Sequence, residues 1–272
     1  RVIRTNDKTW NNIIKYIISI IIIIVFAIFV FCNLNIGLAD NSDFARETRL
    51  YTTKPVGFSE NSPSDETLRK LRFNTYYIPD WEFVPSVARP HTSTHFLWMP
   101  GACLNYFFFS RETLRLSWVS LPARLLLVTF YAWLVFGILS RYKKVFFPLF
   151  VTLLLPVALM LSTREYLAYL NSFYAETGSM IFLLMFVAGM VALKYNNSKK
   201  TYLFSFAALL ALVTCKASNI YWALIGGFHI FNTLRCQMKW RLFYLSSIMV
   251  FCGLVCFLVV SNQIITPTGS KV

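Results

Sequence analysis

Residues 13 to 32 read IIKYIISIIIIIVFAIFVFC, twenty positions that are almost pure Ile, Val and Phe. At about 1.5 Å of rise per residue such a run covers the ~30 Å of a bilayer core as one helix. It is too long for the apolar region of a signal peptide, and no small-residue cleavage site follows it. The first element is therefore a membrane span, and the reading of everything after it turns on that assignment.

The composition agrees. The chain has 272 residues, of which 57% are hydrophobic and 14% charged, whereas soluble domains carry roughly a quarter charged. Mean hydropathy is +0.56. Further apolar runs cover about 121–139, 145–161, 179–193 and 244–260, and two short helices, about 203–214 and 219–233, meet at CKASN. The expected fold class is all-α: a polytopic membrane helix bundle of about seven spans. It forms a single transmembrane domain, 1–272, with a long extracytoplasmic loop, 34–120, carrying juxtamembrane helices between the first and second spans. The chain opens on Arg1 and stops soon after a span, so both ends read as edges of a longer protein.

A formal charge of +14 would suit a nucleic-acid binder if it were concentrated. It is instead divided among RVIRTNDKTWNNIIK, RYKK, KYNNSKK and LRCQMKWR, short clusters between apolar runs, with Asp7 their only acid. This is the pattern of positively charged cytoplasmic loops, and it puts the N-terminus in the cytoplasm. The run FLWMPGACLNYFFF, 96–109, would scramble that pattern if it crossed, so a re-entrant or interface-lying helix is expected there.

Polar chemistry gathers in three places on the opposite side. DNSDFARETRL, 40–50, brings Asp40, Asp43 and Glu47 together with Arg46 and Arg49 within a few helical turns. A carboxylate there can take a proton from a hydroxyl nucleophile, and arginines can grip a phosphate through two N–H groups. A capped juxtamembrane helix with a solvated face gives the same spacing. STREYLAYLNSFYAETGSM, 162–180, carries Asn171, Tyr174 and Glu176, the last near the start of an apolar span. There a carboxylate needs a partner, a watery cavity or headgroup hydration. VTCKASN holds Lys216 between two short helices, either as a site cation or snorkelling to headgroups. Interrupted helices also build transporter sites, so this feature does not by itself separate an enzyme from a carrier.

Other chemistries have less to stand on. His91 and His95 in HTSTH have helical i, i+4 spacing but no third ligand and no accompanying glutamate, so no metal site is expected. The six cysteines show no CxxC, and a disulfide between Cys103 and Cys215 is an open guess. Tyr76, Tyr77, Trp81 and Trp98 either stack on sugar rings or anchor at headgroups, the anchor being the plainer reading.

The layout, with NSDFARETR, NSFYAE at 171–176 and TCKASN at 214–219, resembles the GT-C superfamily of integral membrane glycosyltransferases, in a bacterial multi-span branch. The resemblance implies transfer of a sugar from a polyprenyl-phosphate donor to a lipid, glycan or protein acceptor at the outer face of the bacterial inner membrane. It implies Asp43 as general base, with Asp40 the alternative, and Lys216, Arg46 or Arg89 as the positive charge for the departing phosphate. Glu176 would position the acceptor or a divalent cation, so the cofactor stays open. The chain is shorter than typical members, as a fragment or a reduced form would be. Membrane lipids are the expected surroundings. A transporter or flippase of lipid-linked glycans, and a non-catalytic subunit of a larger complex, are the alternatives; the first needs polar groups at mid-membrane depth, which these spans largely lack.

Overall fold

The structure is a computed structural model, and it describes residues 3–38, 52–56, 79–83, 92–141, 145–196 and 198–233. Helix α1 (Ile3–Cys32) begins earlier than the apolar run and ends with it. Its many β-branched residues are mediocre helix formers in water. In lipid the backbone has no other hydrogen-bond partner, and that requirement overrides propensity.

Next come two short strands, β1 (Thr52–Pro55) and β2 (Asp80–Phe83), helix α2 (His95–Phe108), strand β3 (Thr113–Arg115), and α3 (Leu116–Val119) leading into the long α4 (Leu121–Arg141). A returning rod follows, built of α5 (Phe146–Leu149), a π turn (Phe150–Leu154) and α6 (Leu155–Leu161). Then come α7 (Arg164–Leu170), α8 (Ala175–Tyr195), α9 (Lys199–Cys215), a 3-10 turn (Ala217–Ile220) and α10 (Tyr221–Thr233).

Three helical stretches are long and apolar enough to cross a membrane: Asn12–Cys32, Leu116–Arg141 and Ala175–Tyr195. The pair Phe146–Leu161 and Arg164–Leu170, bent by 62°, makes a fourth if it counts as one broken span. The protein is thus a mainly helical bundle with three or four candidate spans among the described residues. The apolar run at 244–260 lies outside them.

Helix directions follow from the contacts. Arg124, near the start of α4, bonds the end of α1, while Gly137, near the end of α4, lies against Val191, near the end of α8. So α4 and α8 both descend from the end where α1 finishes, here the loop end. Their other end, with Arg141, Lys194, Lys199 and Lys200, is the basic end. Helix α9 climbs back to the loop end, its Ser198 cap and Thr201 bonding each other's backbone N–H in a reciprocal box. In its most apolar window α1 is only 17% buried, against 50% for α4 and α8, so α1 stands at the periphery with most of its Ile side chains turned outward.

The long loop departs from the all-α expectation. β1, β2 and β3 form a three-stranded antiparallel sheet in that order, with Trp81 opposite Leu114. Strands of three or four residues show too little alternation to be read from sequence. Burial explains why they hold: Trp81 and Leu114 are fully enclosed, and Trp81 meets Phe173 edge to face at 6.5 Å. Trp98 is also buried, edge to face with the same Phe173 at 5.9 Å. Neither tryptophan is a headgroup anchor or a sugar platform, because Phe173 draws both into the core.

Helix α2 confirms a helix at 96–109 and shows how it sits. Leu97, Trp98, Gly101, Ala102 and Asn105 face the protein, whereas Phe96, Met99, Cys103 and Phe107 form an exposed apolar stripe. An apolar stripe turned outward fits an interface-lying helix in contact with lipid. Gly101 makes the packing possible: a Cβ there would lie 2.0 Å from the Val119 carbonyl oxygen. Asn105 closes the turn beyond, donating to the Thr113 carbonyl at 2.7 Å and accepting from Arg115 N–H at 2.9 Å.

Candidate functional site

At the loop end the last turn of α9 meets the first turn of α8. Lys216 caps α9 with extended backbone, φ −151° and ψ 136°, which breaks the helix and lets the side chain cross to α8. There its Nζ donates to Glu176 Oε1 as an ion pair. Glu176 sits in the first turn of α8, where the free N–H groups and the helix dipole also favour negative charge. The two side chains remain 33% and 38% exposed, so the pair faces outward rather than into a dry core.

Neighbouring polar groups lock the turn that carries Lys216. Asn219 Nδ2 donates to Ser179 Oγ at 2.8 Å and to the Leu212 carbonyl at 3.0 Å. Cys215 S–H donates to the same carbonyl at 3.0 Å. From the other side Ser93 donates its hydroxyl to the Ala211 carbonyl at 2.5 Å and its N–H to that of Thr214 at 3.4 Å. A helix end leaves four carbonyls without intrahelical partners; here Ser93 of HTSTH supplies a donor to one of them, Thr214, and a second to Ala211 just before them. Thr94 then packs on Gly178, where a Cβ would come within 2.6 Å of its hydroxyl.

A second cluster fixes how the chain leaves α1. Arg124 is completely buried and donates to the carbonyls of Val30 and Asn33, the latter at 3.1 Å, and to Asn171 Oδ1 at 2.8 Å. Ser120 bonds the same Oδ1 at 2.8 Å, while Asn171 Nδ2 reaches the carbonyls of Asn33, Leu34 and Ile36. A cation at a helix C-terminus also answers the dipole of α1. Two residues beyond Ile36, Leu38 N–H donates to Ser172 Oγ at 2.6 Å.

The sequence candidates therefore divide as follows. Glu176 and Lys216 come together. Asn171 is buried and occupied with backbone carbonyls, and Tyr174 is a buried ring, edge to face with Tyr169 at 5.7 Å, at the N-cap of α8. Asp40, Asp43, Arg46, Arg49 and Arg89 lie outside the described residues. Sequence reasoning missed Arg124 and Ser120; the one signal was an arginine three residues inside the apolar run LPARLLL.

The remaining chemistry is accounted for. His95 is buried, its Nδ1 within 3.2 Å of Thr92 Oγ1. Cys103 and Cys215 are both free thiols, so the disulfide between them does not form: Cys103 lies on the outward stripe of α2, and Cys215 is buried. Among the described residues no three His, Cys, Asp or Glu side chains converge as a metal site would require. Beside the sheet, Asp80 accepts from Arg115 at 2.9 Å, and that bond holds the guanidinium above its ordinary pKa.

No curated protein and no solved structure matches the chain. The apolar helices, the outward aliphatic faces and the charge distribution describe an integral membrane protein, and the family comparison agrees: the family described as the YfdI N-terminal transmembrane domain matches residues 2–269, and the chain belongs to it.

Proposed function

We propose that the chain is the membrane part of a glycosyltransferase of GT-C type, moving a sugar from a polyprenyl-phosphate donor to a lipid, glycan or protein acceptor. In this reading about seven helices cross the bacterial inner membrane from a cytoplasmic N-terminus, and the loop end faces outward. The observation that carries it is the meeting of Glu176 and Lys216, which lie 40 residues apart in sequence. They sit at the end of the bundle where the chain, tied by Leu38 to Ser172, departs toward Asp40 and Asp43.

The chemistry is a single in-line displacement. Asp43, with Asp40 as the alternative, takes the proton of the acceptor hydroxyl as its oxygen bonds to the anomeric carbon. The bond from that carbon to the phosphate oxygen breaks, and the phosphate leaves with the electron pair. Inversion follows, with one catalytic carboxylate rather than the two of glycoside hydrolysis. Lys216 neutralises the charge developing on the phosphate, aided by Arg46 or Arg89. Arg49 completes the proposed binding side, and Asn171, buried against the end of α1, holds the backbone behind it. Glu176 holds Lys216 in place until the donor arrives, then orients the acceptor or a divalent cation.

The test is transfer of radiolabelled sugar from a panel of polyprenyl-phosphate donors by protein in nanodiscs, comparing wild type with Asp43→Asn and Lys216→Met. Transfer that both variants lose while melting like wild type supports the reading. Equal transfer by Asp43→Asn removes that residue from the mechanism, and no transfer by folded wild type across the panel moves the assignment to a carrier or a subunit.

A further inference from the structure

The basic end of the bundle holds a cavity that the proposed transfer chemistry does not use. It encloses about 470 Å³ between α1, α4 and α8, with the start of α9 at its edge. That volume is within the ~300–1,000 Å³ typical of small-molecule sites.

Its lining changes character along the helix axes. The inner walls are Trp133, Phe136, Ala188 and Val191. About two turns further along the same helices, some 12 Å at 1.5 Å per residue, the rim is Ser140, Arg141, Asn196 and Thr201. An apolar interior ending in a polar rim with a cation is the complement of an amphiphile whose head is anionic. Shape alone would also suit a neutral lipid, but the charge does not. The Arg141 guanidinium lies over the Tyr195 ring at 4.6 Å, a contact that orients it without neutralising it. Neither α4 nor α9 contains a carboxylate, Glu176, the only one in α8, is at the opposite end, and Asp7, the only one in α1, lies more than two turns before Tyr16, where that helix borders the cavity. Lys194, Lys199 and Lys200 add to the positive field on the same end. Basic pockets between spanning helices at headgroup depth are where anionic lipids settle.

We propose that this cavity is a binding site for an anionic phospholipid, with an acyl chain between α4 and α8 and the phosphate at Arg141. The site is separate from the Glu176 and Lys216 pair, and its occupant is a component of the bilayer rather than a sugar donor.

The experiment is native mass spectrometry of the purified chain equilibrated with equal amounts of phosphatidylglycerol and phosphatidylcholine of identical acyl chains. Wild type is expected to retain phosphatidylglycerol in preference, and Arg141→Gln to reduce that preference about fivefold, the contribution of one cation near a membrane surface. Arg141→Lys should keep most of it. Gly137→Leu, which grows a side chain into the cavity beside Val191, should lose the bound lipid while melting at or above the wild-type temperature. Equal retention of both lipids, or an unchanged preference in Arg141→Gln, overturns the proposal. Retention by a folded Gly137→Leu also overturns it, and if that variant fails to fold the Arg141→Gln ratio decides. Displacement by millimolar glycerol phosphate would show that the site takes a free phosphate and not a lipid.

Discussion

Arg124 and Asn171 meet at 2.8 Å in the buried layer under the end of α1, and between them they bond the carbonyls of Val30, Asn33, Leu34 and Ile36. The buried guanidinium is tolerable here because backbone oxygens and one amide oxygen accept from it and the helix dipole points at it. The pair forms a clamp that sets where the chain leaves the first helix.

Arg124→Met should therefore destabilise the protein by about 3 kcal/mol, the scale of hydrogen bonds to a charged group together with the carbonyls left unpaired. Arg124→Lys should recover little of this, since an ammonium lacks the planar fork that reaches Val30, Asn33 and Asn171 at once. Thermal unfolding in detergent measures both, and a lysine variant as stable as wild type would refute the clamp.

Asn171 offers a sharper test because its two ends have opposite jobs. Asn171→Asp keeps the accepting oxygen for Arg124 but turns a second oxygen toward three carbonyls, whereas Asn171→Ala merely removes their donor. The aspartate should melt lower than the alanine, by about 1 kcal/mol or more. A residue whose task was only to touch substrate would show neither loss.

Gly101→Ala should cost about 2 kcal/mol, as overpacking against backbone does. The methyl would lie 2.0 Å from the Val119 carbonyl oxygen, so α2 has to lift away from α3. Faster proteolysis within 95–120 would report that separation, and an unchanged digestion pattern would argue against it.

For Glu176 and Lys216 the expectation is reversed. Both are about a third exposed, so a double-mutant cycle of Glu176→Gln and Lys216→Met should give a coupling below about 1 kcal/mol in stability. Exchanging the two charges should lower stability by only about 1 kcal/mol, since each then opposes its helix dipole, and still abolish transfer. Restored transfer in the exchanged protein would show that the pair acts only as a fastener.

Much of the helical framework was legible because apolar runs must be helical in lipid. The C-terminal ends of α1 and α4 fall within two residues of the sequence reading, and the break at CKASN appears where it was expected. The start of α8 was misplaced: Ala175, Glu176 and Thr177 are already helical, which moves Glu176 from a loop into the first turn. The sheet and the Arg124 clamp were not legible, for a common reason. Each depends on residues far apart in sequence, Trp81 on Phe173 and Arg124 on Asn33 and Asn171, and local pattern carries no information about such meetings. Of the site, the need of Glu176 for a partner, a watery cavity or headgroup hydration was legible from the cost of a lone carboxylate near the membrane, but that Lys216 meets it as an ion pair was not. The Asn171 side chain was singled out for its polarity, but the carbonyls that occupy it could not be foreseen.

The wide turn at Phe150–Leu154 lies between Pro148 and Pro156, and its last carbonyl accepts from Tyr131 at 3.0 Å. A π turn carries one more residue than an α turn, and in a helix each residue is worth about 100° of azimuth. Counted along the sequence, the apolar faces of the two halves of the α5 to α6 rod are therefore one residue out of step, while in space the wide turn takes up the extra residue. Deleting any single residue from FVTLL would close the wide turn to an ordinary α turn and leave Ala158 and Leu161 in their seats, with Leu159 still turned toward lipid.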